Sequence, residues 1–215
     1  MIRFSVKVFA LLCTMALMAG CQSAYYKVWE QMGKEKRHLL RDHVQYARDD
    51  QEKASEEFKD ALTRVKEVYG FSGGDMEAYY NRLKDDTDRC RERARGIDER
   101  IDQMDRIAKD LFKEWEYEIK AMTNENFKQQ SRRSLEDTQK RYAQLSRTAG
   151  AARDRMKPVL AKLNDYVLYL KHNLNAQAIG ALQKEARSIE TDVDVLIADM
   201  TRSIREADAF LKDFE

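Results

Sequence analysis

Glu35, His38 and Asp42 carry side chains that bind metals, and they lie within two turns of one predicted helix. Spacings of three and four residues put them on a shared face. Carboxylate and imidazole are ligand types that zinc accepts. His43 is turned about 100° away from Asp42 and does not join the set. Charged residues make up 36% of the chain, so a solvated, charged helix face is the expected reading of His38 and Asp42. A second polar constellation is Lys171, His172, Asn173 and Asn175. Asparagine suits helix termination, and a basic group near a helix C-terminus is favoured by the dipole. Helix-ending chemistry is therefore the expected role, and a recognition surface at His172, Asn173 and Asn175 is the alternative.

A third candidate is the arginine run Arg89, Arg91, Arg93, Arg95 and Arg100. Arg89 and Arg93 share a face and could meet anionic head groups or an acidic partner. Acids interleave with them, so a salt-bridged solvated face is expected. The chain holds no His-Glu-x-x-His, nucleophile elbow, Cys-x-x-Cys or Walker sequence, each of which would mark a known chemistry. Gly70-Phe71-Ser72-Gly73-Gly74 has no lysine and Ser/Thr after it to make a phosphate loop. A non-enzymatic protein with no cofactor and no metal is expected.

The N-terminus gives an expected address. Arg3 and Lys7 precede an apolar run from Val8 to Met18. That run suits a secretory signal and is short for a membrane span. Met18-Ala19-Gly20-Cys21 resembles a bacterial lipobox, with methionine where leucine is usual. The resemblance implies cleavage before Cys21 and acylation of its thiol and new amine. By analogy with Gram-negative lipoproteins, Gln22 rather than aspartate points to the outer membrane, with the protein on its periplasmic face. Cys13 would leave with the signal, and Cys90 would remain as a lone thiol at a core position. Tyr25, Tyr26 and Trp29 lie close to the anchor. Either these aromatics sit at the membrane interface, which favours amphipathic rings, or Trp29 packs on a bundle end. Loss of Arg3 and Lys7 takes the formal net charge from +1 to about −1, which argues against nucleic acid as a partner.

The elements that carry these residues follow from apolar spacing. From Met76, apolar residues recur in steps of four and three: Met76, Tyr80, Leu83, Thr87, Cys90, Ala94, Ile97, Ile101, Met104, Ala108, Leu111, Trp115, Glu118, Met122. Only Thr87 and Glu118 break the run. A stripe this long belongs to a helix of about 70 Å that must meet other helices. Leu40, Val44, Ala47, Gln51, Ala54, Phe58, Ala61, Val65 and Val68 repeat the pattern before it. Leu135 to Leu170 and Ile179 to Phe214 repeat it after. Gly70 is a candidate C-cap, Asp75 a candidate N-cap, and the stretches near Asn124 and Asn173 are turns. Pro158 should kink or restart the third helix, and Ala149-Gly150-Ala151-Ala152 could admit a neighbouring backbone.

These signals predict a signal at 1–20, a lipidated tether at 21–28 and a helical unit over 29–215. Its helices fall at about 28–69, 75–122, 127–173 and 176–214. The fold class is all-α: an elongated antiparallel four-helix bundle or coiled coil with helices of comparable length. Two hairpins that pair only in a homo-oligomer are the alternative arrangement.

Val28-Trp29-Glu30, Gly33 to Arg37, Ala47-Arg48-Asp49, Tyr169 to Ala176 and Ile189 to Val193 extend the comparison to a family. On these stretches nearly the whole mature chain resembles an uncharacterised family of bacterial lipoproteins catalogued as the domain of unknown function DUF2959. That resemblance implies a helical, coiled-coil protein and brings no activity or catalytic residue with it. The expected role is structural or protein-interacting, through a rod anchored at Cys21, with an unknown envelope protein as partner. A periplasmic holdase for unfolded or membrane proteins is the competing expectation.

Overall fold

The computed structural model describes Tyr26 and residues 35–70, 75–173 and 179–212. Four long helices account for nearly all of them: α1 (Lys36–Lys66), α2 (Met76–Ala121), α3 (Glu125–His172) and α4 (Ile179–Leu211), with a 3-10 turn at Glu67–Gly70 after α1. Each helix packs on its two sequence neighbours, and α4 closes back on α1. Cross-helix pairs fix the directions. Lys36 meets Glu114 while Arg64 meets Asp86, so numbering rises along α1 as it falls along α2. Arg155–Asp199 with Lys162–Asp192 does the same for α3 and α4, and Arg48–Asp208 with Lys66–Glu190 for α1 and α4. The product is an antiparallel four-helix bundle closed within one chain.

The helix ends have local causes. Asp75 caps α2 by accepting the Ala78 amide at 2.9 Å. Asn124 caps α3 by accepting the amides of Asn126 and Phe127 at 3.0 and 3.2 Å. Both satisfy amides that the first turn leaves without partners. The end of α1 differs from expectation. Its C-cap is Glu67 in a right-handed conformation, and the chain tightens into the 3-10 turn before Gly70. No left-handed glycine is needed there. Residues 71–74 and 174–178 lie outside the described residues.

The predicted stripes of α1, α3 and α4 form the core. Leu40, Phe58, Val65, Leu163, Leu170, Leu182, Val193 and Met200 are among the fully buried residues. In α2 the stripe holds from Leu83 to Ala108, with Ala94 only half-buried, and drifts at both ends. Tyr79 is buried in place of Met76 and Tyr80, and Ile119 in place of Glu118, while Leu111 and Trp115 are only half-buried. A strict seven-residue repeat slips about 20° per heptad on a straight helix. Beyond Glu114, moreover, α2 outruns the described start of α1. Its buried side there turns towards α3, to which Trp115 donates a hydrogen bond at Ser131 Oγ (2.8 Å).

Pro158 neither breaks nor restarts α3, which is one continuous helix of 48 residues. Pro158 and Asp154, whose carbonyl loses its usual donor, both lie on the exposed side, where water can take the missing bond. The expected close approach at the small residues is also absent at its centre. A Cβ on Gly150 would meet nothing within 4 Å, and Ala151 is exposed. Only Ala149 and Ala152 face the core. Gly150→Ala should therefore stabilise the protein by about 1 kcal/mol, the difference in helix propensity. A denaturant midpoint that moves down instead would contradict the open environment found there.

The core divides in two. One cluster runs from Ala54 to Val68 on α1 and includes Met156, Leu163 and Met200. The other holds Leu40, Val44, Met104, Leu145 and Phe210. Between them, three helices each supply a buried polar residue: Gln51 on α1, Thr148 on α3 and Ser203 on α4. Buried polar groups set between apolar layers penalise sliding of one helix on another, and so favour a single register.

The described helices differ in length. Among the described residues α1 and α4 span 31 and 33 residues, whereas α2 and α3 span 46 and 48. The excess lies at one end. Phe210, near the end of α4, stacks edge-on against Tyr142 at 5.8 Å between centroids. Tyr142 is 17 residues into α3, about 25 Å from that helix's start. The α2–α3 hairpin therefore extends beyond the described lengths of the other two helices. No helix among the described residues is long and apolar enough to cross a membrane.

Candidate interaction surfaces

Arg89 and Arg93 are engaged within the bundle. Glu57 on α1 receives Arg89 Nε at 2.9 Å and lies 3.7 Å from Arg93 Nε. Arg89 also reaches Asp86, which is 4% exposed and takes a second bond from Arg64 Nε at 3.1 Å. Arg64 in turn pairs with Glu67. Arg91 pairs with Asp88 and donates to Asn164 Oδ1 at 3.1 Å. Arg100 lies 3.3 Å from Asp50, over the ring of Tyr46. Arg89, Arg93 and Arg100 thus form an α1–α2 ion-pair ladder, with one nearly buried carboxylate, Asp86, clamped by Arg64 and Arg89. Bonding to Glu57 and Asp86 holds Arg89 firmly charged.

Cys90 sits in the same region and is fully buried. Its thiol donates to the Glu57 carbonyl at 3.2 Å. Burial pushes it up to about 12, so it stays a protonated core thiol rather than a reactive thiolate. Tyr79 and Tyr166 face each other nearby with 3.4 Å between hydroxyls, and burial pushes Tyr79 up to about 12. In the other cluster Tyr142 donates to Asp105 at 2.5 Å, and burial raises its hydroxyl.

Asp42 pairs with its neighbour Arg41 at 2.8 Å, and His38 is half-buried on the same helix. Among the described residues no group of three His, Cys, Asp or Glu side chains is arranged to hold a metal ion. His43 is buried with an edge-on contact to Tyr46. Burial, and then the charge of Arg100, lowers its pKa. His172 is exposed in the last turn of α3. Asn173 is the C-cap, and its side-chain amide donates to the Tyr169 carbonyl at 2.8 Å, which is helix-ending chemistry. Asn175 and Cys21 lie outside the described residues, as do Tyr25 and Trp29.

Sequence reasoning did not find two features. The first is the seat of Tyr26, which is buried, donates to Asp110 Oδ2 at 2.8 Å and lies under Lys36 Nζ at 4.9 Å. Packing on the bundle, expected of Trp29, is found at Tyr26. The second is the projecting hairpin. Tyr117 is 74% and Phe127 65% exposed, against 49% for Tyr46, the next most exposed large apolar residue described. Scattered apolar residues are ordinary on a surface; these two are set apart by falling together at the hairpin end. Their signal was the unequal helix length, and apolar spacing does not register it.

No curated protein and no solved structure matches the chain. A family model matches residues 25–214, and the chain is accordingly a member of the family described as protein of unknown function (DUF2959).

Proposed function

We propose that this is a non-enzymatic lipoprotein of the cell envelope. It is anchored through Cys21 on the periplasmic face of the outer membrane and acts through protein contacts made along a helical rod. The observation that carries this reading is the closed bundle. Its apolar stripes are filled within one chain, with Leu40, Phe58, Leu163 and Leu196 fully buried. Its long helices reach about 70 Å. Ion pairs such as Lys36–Glu114, Arg48–Asp208, Lys66–Glu190 and Arg155–Asp199 tie its helices to one another. Such a molecule offers length and surface rather than a reaction centre. The lipobox-like stretch ending at Cys21 supports the address, and Tyr26 docked on Asp110, towards the α2–α3 end, is compatible with an anchor there. A holdase needs open apolar seams to take clients, and the filled stripes favour the rod.

Cross-linking in intact cells, followed by purification through a C-terminal tag and mass spectrometry, tests the role. The expected result is a discrete envelope partner that is lost in Cys21→Ser. A diffuse set of unfolded envelope proteins would replace this reading with the holdase, and self-cross-links alone would replace it with a self-assembling spacer.

A further inference from the structure

We propose that the projecting α2–α3 hairpin end is a second membrane contact, which seats Tyr117 and Phe127 in the lipid head-group region and stands the rod on the bilayer. The proposal rests on the reading of Cys21 as a lipid anchor. Tyr26 is held on α2 at Asp110. Five residue steps separate it from Cys21, which limits that connection to about 18 Å even when fully extended. From Asp110 the helix continues eleven residues to Ala121, about 16 Å along its axis. The tether and the projection are thus matched in length. A tether drawn out along the axis brings the membrane surface level with the hairpin end. Any shorter tether presses the hairpin end further in.

The side chains there suit a head-group layer. Tyr117 and Phe127 are the two most exposed large apolar residues described, and Met122 lies half-buried between them in sequence. Lys113, Lys120 and Lys128 alternate with Glu116, Glu118 and Glu125 around them. Aromatic residues are favoured at the membrane interface, and lysines can lay their stems along apolar surface while their ammonium groups stay in water. The near balance of charge predicts contact with the lipid surface itself rather than attraction to anionic lipid alone.

The test uses the full lipidated protein in vesicles of phosphatidylethanolamine and phosphatidylglycerol that carry a shallow nitroxide lipid. A fluorophore is placed at Asn126→Cys beside the aromatics, or at Thr63→Cys near the other end of the rod. Cys90 is buried and does not compete for the label. The expected result is at least twofold quenching at position 126 and none at 63. Tyr117→Ser with Phe127→Ser should remove most of the quenching at 126 while the protein still floats with the vesicles. Floating protein unquenched at 126 overturns the proposal and leaves the anchor standing, whether water or a second copy covers the hairpin end. Equal quenching at both positions overturns it in favour of a rod lying flat. Protein that fails to float removes the anchor reading, and the proposal falls with it.

Discussion

Leu163→Asp is expected to abolish the folded state. Leu163 lies on α3 with its side chain fully buried in the larger apolar cluster. The substitution removes a leucine, worth about 2–5 kcal/mol in a core of this kind. It also buries a carboxylate without a partner, at several kcal/mol more. Together these reach the total stability of an ordinary domain, about 5–15 kcal/mol. Circular dichroism at 222 nm should show a large loss of helix and no cooperative melt. Leu111→Asp is the matched comparison, because Leu111 continues the same kind of stripe in sequence but is only half-buried at the edge of the second cluster. That variant should keep its helicity and lose only part of its stability. If both variants melted alike, the assignment of the core would be wrong.

Cys21→Ser should move the protein from the membrane fraction to the soluble one. The rod supplies no membrane-crossing helix among its described residues, so on this reading attachment depends on acyl chains. One chain gives marginal, reversible binding, and several give a stable anchor. The change in the membrane-bound share should therefore be close to complete. The folded bundle should be untouched, because the first described contact of the mature chain is Tyr26 on Asp110. An unaltered melting temperature together with lost membrane association is the expected pair of results. Retention of the serine variant in the membrane fraction would mean that something other than lipid holds the protein there.

The central fold was legible because each stripe repeats one simple physical demand. Leu40 to Val68 and Leu182 to Phe210 reappear residue for residue as buried positions, since α1 and α4 are flanked along their described lengths by neighbours on both sides. Asp75 and Asn124 were legible as caps because a short polar side chain before an apolar-periodic run has few other uses. Leu111, Trp115 and Glu118 were misplaced where a neighbour ends and spacing alone carries no record of it. The pairing of Glu57 with Arg89 and Arg93 was equally hidden. In a chain this rich in charge many partners are possible, and only the helix register selects one. Gln51 stood out as a polar break in its stripe, yet its place with Ser203 and Thr148 at the boundary of two core clusters needed the packed helices at once. Among the candidate surfaces, Arg89, Arg93 and Arg100 do pair with acids, but with Glu57 and Asp50 on α1 as well as with acids along α2. The hairpin end was missed because Tyr117 and Phe127 belong to no stripe.

The account turns on a folded rod tied to a bilayer at one residue, so the mass of the N-terminal peptide tests it most directly. Protein purified from the membrane fraction of producing cells should yield, after proteolysis, a peptide that begins at Cys21 and carries a diacylglyceryl group on sulfur and a further acyl chain on the amine. An unmodified Cys21, or a mature chain that begins at any other residue, would contradict it.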